Sequence, residues 1–423
     1  MSPLTSYYAA SANPAPARPR LEGNVTADIC VIGGGIAGCS TALELAERGF
    51  QVALLEAEHI GWGASGRSGG QAIFGFGTSM DTLVRQVGAA DARRMWDVSV
   101  EALDLLRDRV ARHQIDCDLH RGQMHVGVRP RHRDELLAWH QEMEQQYGYT
   151  GLKFLEQPEV EALIATQRYN SGLYDERSGH LHPLNYTLGL AAAGERAGVT
   201  LYEQSRVTAI EHGDTACVRT AGGEIRARFV AVCCNAYIEE LIPKVRARIM
   251  PVGTYIVATE PLGEQRITGV LRENIAVSDI NWVLDYFRRS ADHRLLFGGR
   301  VSYSGLDPVN TKGATRARMI GVFPQLADVR IEYAWGGWLD VSMNRAPDFN
   351  RVAPNVYYVQ GFSGHGIALT GMAGRLIAEA IHGHAERFDL FARLEHRNFP
   401  GGRAFRTPLL VLAMLWYRLR DLL

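Results

Sequence analysis

The run Asp28-Ile29-Cys30-Val31-Ile32-Gly33-Gly34-Gly35-Ile36-Ala37-Gly38, with Glu56 closing the next apolar segment, decides the fold of this chain. Residues 28–32 form an apolar stretch that stops at three glycines, the pattern of a buried strand. Residues 36–48 then carry helical spacing through Ala37, Leu43, Leu45 and Ala46, and Gly49 supplies a stop. Residues 51–55 make a second strand. The glycines of the turn differ in what they permit. Gly33 allows a tight turn, Gly35 lets a pyrophosphate approach the backbone, and Gly38 lets helix and strand pack closely. The helix start at Ile36 and Ala37 offers free N–H groups and the positive end of the helix dipole. An acid about 20 residues further on accepts hydrogen bonds from ribose hydroxyls and disfavours a 2′-phosphate. Glu56 stands there, and its neighbour Ala57 and Val207 join the expected contact set. The spacing predicts a bound dinucleotide.

The next segment outward is Gly61-Trp62-Gly63-Ala64-Ser65-Gly66-Arg67-Ser68-Gly69-Gly70-Gln71, with five glycines in eleven residues. A loop so rich in backbone donors can run along a pyrophosphate and reach an isoalloxazine ring, although a surface loop shares that composition. This reading points to FAD, with Ser65, Gly66, Arg67, Ser68, Gly69, Gly70 and Gln71 as contacts. Near the other end of the chain, a strand at 355–360 runs into Gly361-Phe362-Ser363-Gly364-His365-Gly366-Ile367, and helical spacing follows at 369–382. That helix start would set a positive dipole end beside the N1–O2 edge of a flavin. His365 is expected to orient the loop while backbone N–H groups do the electrostatic work. A plain turn in a parallel sheet has the same pattern.

Residues 1–27, rich in proline and alanine, read as an extended arm. Helical patterns occur at 91–115, 132–147 and 183–196, strands at 200–203, 207–211 and 229–234, a hairpin turn at 221–223, and β-rich alternation from about 246 to 340. Nucleotide signals at both ends, with β-rich chain between them, imply an α/β fold with a discontinuous FAD-binding domain (28–80, 180–245 and 350–385). The substrate domain is then inserted as 81–179 and 246–349, and 386–423 forms a C-terminal tail and helix.

Bulk composition narrows the function. A net charge of −1 gives no basic face for nucleic acid. The six cysteines (Cys30, Cys39, Cys117, Cys217, Cys233, Cys234) show neither CxxC nor metal-ligand spacing, so no metal is expected and a reduced, cytoplasmic setting is. The N-terminus lacks the apolar core of a secretory signal, and no stretch reaches the ~20 apolar residues of a membrane span. The apolar run 409–416 is read as a terminal helix docking on its own protein, with contact at a membrane surface as the alternative.

The motifs GGGIAG with Glu56, GASGRSGGQ, and YVQGFSGHGIALTGMAGRLIAEAI resemble the D-amino-acid oxidase/glycine oxidase/sarcosine oxidase superfamily of flavoproteins. Within it the chain is most similar to the γ-glutamylputrescine oxidases, through SYYAASAN near the N-terminus, IDCD at 115–118, SGHLHPLN at 178–185 and FPGGRAFRTP near the C-terminus. The resemblance implies a Rossmann-like FAD-binding domain of the GR2 type and an α+β substrate domain built on a large antiparallel sheet facing the flavin. It implies hydride transfer from the carbon beside a neutral amine to the flavin, then hydrolysis of the imine.

Departures from the superfamily pattern matter as well. Where sarcosine-oxidase-like members tether the flavin through cysteine, this chain has Trp335 nearby, and no cysteine follows Cys234, so FAD is expected to be non-covalent. Their carboxylate-holding lysine is replaced by Ala368, the basic residue of their early flavin loop is missing from 71–74, and a lysine that promotes oxygen reactivity is replaced by Leu296. A substrate without a carboxylate on its reacting carbon fits this pattern, and the electron acceptor, oxygen or another, stays open.

Among the aromatic residues of the β-rich block (Trp282, Tyr286, Phe287, Tyr303, Tyr333, Trp335, Trp338), most read as sheet core, and Trp335 is expected beside the flavin. Arg67, Arg300 and Arg345 are candidates for a distant substrate carboxylate, with Arg300 favoured because it ends a strand after two glycines. Each equally suits a surface salt bridge. Asp285 and Asp340 are candidates to attract a cationic end. The expected activity is oxidation of γ-glutamylputrescine or a related polyamine. The alternatives are a small secondary amine or D-amino acid, and an FAD-bearing structural or interaction protein.

Overall fold

A computed structural model describes residues 6–302 and 310–401; the side chains of 300–302 lie outside the described set, as do Tyr303 and the C-terminal run 409–416. Two sheets organise the chain. In the first, six strands lie in the order Asp348–Ala353, Val356–Gln360, Gly223–Val232, Gly23–Ile32, Val52–Leu55 and Thr200–Tyr202. The five from Val356–Gln360 to Thr200–Tyr202 run parallel, and Val207–Glu211 and Ala216–Thr220 extend the sheet as an antiparallel flap. The first strand is buried through 29–32, as its unbroken apolar run requires when helices cover the sheet.

Three helices cover this sheet: Ile36–Glu47, Pro183–Arg196 and Gly366–Ile381, with Ala89–Arg112 outside them against the last. Small residues let them approach. A Cβ on Gly374 would lie 2.7 Å from the Thr41 nitrogen. A buried ion pair ties the layer: Arg109 donates to Glu44 at 2.8 Å and also to the Ser40 hydroxyl and the Gly371 carbonyl. Burial would raise the Glu44 carboxyl, yet Arg109, Arg48 and Arg375 together hold it at about 2.

The second sheet runs in the order Ile331–Ser342, Ile249–Thr259, Leu295–Ser302, Tyr286–Arg289, Ala276–Asp279, His120–Gly127, Ser171–His180 and Gln71–Ala72, with Leu152–Glu156 paired to Ser171–His180. It is mostly antiparallel. One face carries Phe287, Phe297 and Val257, which pack on Met319, Val322 and Phe323 of the helix Thr311–Val322 and the turn after it. The opposite face carries Trp335, Ile256, Ala258 and Leu296 toward Leu184 of the helix Pro183–Arg196. Gln71–Ala72 belongs to this second sheet by pairing, although its sequence neighbours serve the first.

The N-terminal segment is not a free extended arm. Ser6 caps a short helix, Tyr7–Ala10, and Tyr7 and Tyr8 are buried in the cluster around Trp335. Farther along, Arg18 pairs with Glu195 at 2.8 Å and Glu203 at 3.2 Å, so the segment is strapped across the molecule.

Candidate active site

Ligands of open parallel sheets bind outside the carboxyl ends of the strands. Three turns of this chain leave the first sheet at that edge: 33–35 after Ile32, Glu56 after Leu55, and Gly361 after Gln360. The first two line a cavity of about 340 Å³ with Ser65, Val207, Cys234, Asn235 and Tyr237. Its glycines fit the roles read from the sequence. A Cβ on Gly38 would lie 1.8 Å from the Gly33 carbonyl oxygen, and one on Gly33 would lie 2.7 Å from that of Cys233. Gly35 is the extended N-cap of the helix Ile36–Glu47, whose Ile36 N–H donates to the Ser65 hydroxyl at 2.9 Å. Glu56 accepts from the N–H of Gly34 at 2.6 Å and of Glu58 at 2.9 Å; burial raises its carboxyl, and those two N–H groups pull the other way. Ala57 lines the same cavity, and Ile36 and Ala37 are buried at the helix start.

The loop 61–71 crosses from this cavity to the second sheet. Gly66 ends the short turn Ala64–Gly66, and Arg67 is buried, its guanidinium 4.8 Å over the Trp62 ring. Arg67 donates to the Trp62 carbonyl at 2.7 Å and that of Gly336 at 3.2 Å, while its Nη2 and the Ser68 hydroxyl have no partner. A buried cation beside unsatisfied donors suits an anionic, hydrogen-bonding ligand. It suits less well the distant substrate carboxylate for which Arg67 is a candidate by sequence, because stacking on Trp62 and carbonyl acceptors hold it inside. Gly69 lies against the Tyr286 ring, where a Cβ would meet it at 2.7 Å, and the Gly70 carbonyl accepts from Leu181 N–H at 2.9 Å. Gln71 spends its amide on the Val277 carbonyl at 3.1 Å.

The second glycine turn is separate from the 340 Å³ cavity. Gly361 N–H donates to the buried Asp340 carboxylate, and Ser363 N–H donates to the Asp340 carbonyl at 3.1 Å. Ser363 itself adopts φ 50°, a left-handed conformation that a serine takes only under constraint, and Gly364 follows at φ 96°. His365 is the N-cap of Gly366–Ile381, so Gly366 and Ile367 form its first turn. The strand Ile331–Ser342 thus touches both glycine-rich segments: Trp335 donates its indole N–H to the Arg67 carbonyl at 3.0 Å, and Asp340 and Ser342 hold 361–363.

Asp340 therefore anchors a loop and does not attract a cationic substrate. Burial raises its carboxyl to about 7 against the lowering effect of the Gly361 N–H. Asp285 is likewise spent, on Arg318 at 2.6 Å. Of the three candidate arginines, Arg345 stacks on Trp282 at 4.9 Å and its charge reaches His365. The backbone of Arg300 pairs with Tyr255, and its side chain lies outside the described residues.

Two half-buried imidazoles interact beside the second turn. Burial lowers His365 to about 3, helped by the charges of Arg345 and His125, and its Nδ1 has no partner. Burial lowers His125 to about 4. His125 escaped the sequence reading. It sits in an alternating strand with no motif around it, and its charge interaction with His365 is what links it to the second turn.

A profile of the DAO family, described as FAD dependent oxidoreductase, matches residues 28–380. The chain belongs to the DAO family of FAD-dependent oxidoreductases. Its relatives include the "Gamma-glutamylputrescine oxidoreductase" of Escherichia coli, 42% identical over 421 residues, which are 99% of this chain and 98% of that protein. A "Probable oxidoreductase OrdL" of Haemophilus influenzae is 40% identical over 99% of this chain and 97% of its own. Among solved structures, glycine oxidase from Geobacillus kaustophilus superposes with a TM-score of 0.73 at 21% identity, over 88% of this chain and 100% of that one. L-proline dehydrogenase from P. horikoshii does so with 0.71 at 19%, over 88% and 98%. At such identities the two structures speak for the DAO fold alone. Among the described residues no helix is long and apolar enough to cross a membrane.

Proposed function

We propose that this DAO-family chain oxidises the primary amine of γ-glutamylputrescine or a related polyamine. The observation that carries the reading is the 42% identity, end to end, with the E. coli γ-glutamylputrescine oxidoreductase. When bound, FAD supplies the acceptor for a hydride from the carbon beside nitrogen. The CH₂–NH₂ group gives up that hydride and a proton, and water then splits the imine into aldehyde and ammonia. If oxygen takes the two electrons, hydrogen peroxide forms.

The protein's own share is orientation and dehydration. Closing the site to water would favour the neutral amine that hydride loss requires, and the lowered imidazoles of His125 and His365 point the same way. Ala368 and Leu296 are buried and uncharged, and the Gln71 amide is already engaged, which fits a reacting carbon without a carboxylate. Arg345, stacked on Trp282 and near His365, is our choice for the distant carboxylate of the γ-glutamyl group.

For the cofactor, we assign Gly33, Gly35–Gly38, Glu56, Ala57, Val207 and residues 65–71 to the ADP half and linker, and 361 with 363–367 to the ring. Trp335 and His365 would belong to the surroundings of that ring. Absence of cysteine beyond Cys234 supports non-covalent FAD, and six unpaired thiols support a cytoplasmic setting. The test is product analysis: γ-glutamylputrescine and enzyme in air should give equal amounts of aldehyde and ammonia. An intact, FAD-loaded enzyme that yields neither, while oxidising sarcosine or a D-amino acid, overturns the proposal.

A further inference from the structure

The cluster at the N-terminus does more than cover a sheet. Arg288 lies on the face of the second sheet that meets the 61–71 loop and is only 2% exposed. Its Nε donates to the Gly69 carbonyl at 2.8 Å. Its Nη2 donates to the Leu181 carbonyl at 2.9 Å and the Tyr8 hydroxyl at 3.0 Å, and its Nη1 to the Arg289 carbonyl at 3.2 Å. All four partners are neutral oxygens. A buried guanidinium satisfied only by carbonyls and one phenol is held by the number of its bonds, so each acceptor counts.

Those acceptors converge on 69–70. A Cβ on Gly70 would lie 2.3 Å from the Leu181 oxygen and 3.1 Å from Arg288 Nη2, so the loop has no room to shift on that side. Tyr8 closes the arrangement from the N-terminal segment. Its ring is fully buried, 5.2 Å edge-on from Trp335, whose indole N–H holds the Arg67 carbonyl of the same loop. Two side chains of the sheet, Arg288 and Trp335, thus donate to backbone carbonyls of the loop, and Tyr8 contacts both of them.

We propose that Arg288 and Tyr8 are positioning residues that hold the 66–71 loop in its FAD-binding shape, which makes the N-terminal segment a working part of the cofactor site. The inference rests on the assignment of this loop to FAD. Full-length protein loaded with FAD is diluted, and cofactor release is followed by recovery of FAD fluorescence; visible circular dichroism reports the ring's surroundings. Arg288→Gln should speed release about a hundredfold, the equivalent of ~2.8 kcal/mol, with altered dichroism. Tyr8→Phe keeps the ring and should speed release about fivefold, with a smaller dichroic change. Tyr7→Phe, whose hydroxyl serves Asp292 at 2.7 Å, should leave both readings as in the unaltered protein. Folded Arg288→Gln that releases FAD at the unaltered rate overturns the proposal, and so do equal effects of Tyr7→Phe and Tyr8→Phe. If Arg288→Gln does not fold, the comparison of the two tyrosines decides alone. Unaltered protein that retains no FAD would instead defeat the cofactor assignment itself.

Discussion

The two glycine-rich turns leave parallel strands of one sheet, yet they are held in opposite ways. The first is built from its own neighbours: Gly38 presses on Gly33, Ser65 caps Ile36, and Glu56 accepts from Gly34. The second is shaped from a distance, since Asp340 of the other sheet accepts from the Gly361 N–H and the Ser342 N–H donates to the Ser363 hydroxyl. A locally built turn obeys a sequence rule and cannot tolerate a side chain. A turn held from outside depends on its anchor and tolerates a side chain where its backbone is ordinary and open, as at Gly366, though not at Gly361 or Gly364 with their φ of 78° and 96°.

The largest expected effect follows from that contrast. Gly38→Ala puts a methyl 1.8 Å from the Gly33 oxygen and should cost about 3 kcal/mol in urea unfolding, with loss of FAD. At Gly366 the added Cβ would have its nearest neighbour at 3.6 Å, so Gly366→Ala should stay within about 0.5 kcal/mol of the unaltered protein. Comparable losses at both glycines would erase the distinction.

Glu56→Ala comes next and acts on the cofactor. Removing a charged acceptor should weaken FAD binding by about 1.5–3 kcal/mol in titration of the apoprotein, and undiminished affinity would remove Glu56 from the site.

The anchor of the second turn has a pH signature. Asp340 is raised from 3.8 to about 7 by burial, so the folded state keeps a proton that the unfolded state gives up as pH passes about 4. Its contribution to stability is full below that pH and is lost as pH rises toward 7. Asp340→Asn should cost about 1–2 kcal/mol at pH 5 and flatten part of this decline, leaving the share of Asp279, which burial also raises to about 7. Urea midpoints at pH 5 and 8 measure it; an unchanged slope would show that Asp340 is ionised throughout.

The smallest effect belongs to His365. With its imidazole at about 3 it stays neutral at working pH, so His365→Asn should leave the pH dependence of flavin reduction in place. A shifted acidic limb would make it a titrating participant.

The first turn was legible because most of what shapes it lies within residues 28–65, where spacing carries the information; the Cys233 carbonyl that crowds Gly33 is the part spacing does not show. The helix after the second turn begins at Gly366, three residues before the apolar spacing at 369 becomes visible, because His365 and Gly366 show no periodicity. Tyr7 and Tyr8 sit among prolines and alanines, and nothing local says they are buried. Arg67 and Asp340 carry charge, which reads as exposure, while carbonyl and N–H partners from distant strands keep both inside. His125 became a site candidate only through its interaction with His365, and Arg288 only through its bond to the Gly69 carbonyl, both set by the tertiary fold.

The central claim is that the reacting carbon bears no carboxylate, and anaerobic single-turnover bleaching of the bound flavin tests it most directly. An unpartnered carboxylate in this site costs several kcal/mol, so γ-glutamylputrescine should bleach the flavin about a thousandfold faster than sarcosine, glycine or D-alanine. Bleaching by any of those three at a rate equal to or above that with γ-glutamylputrescine would contradict the account.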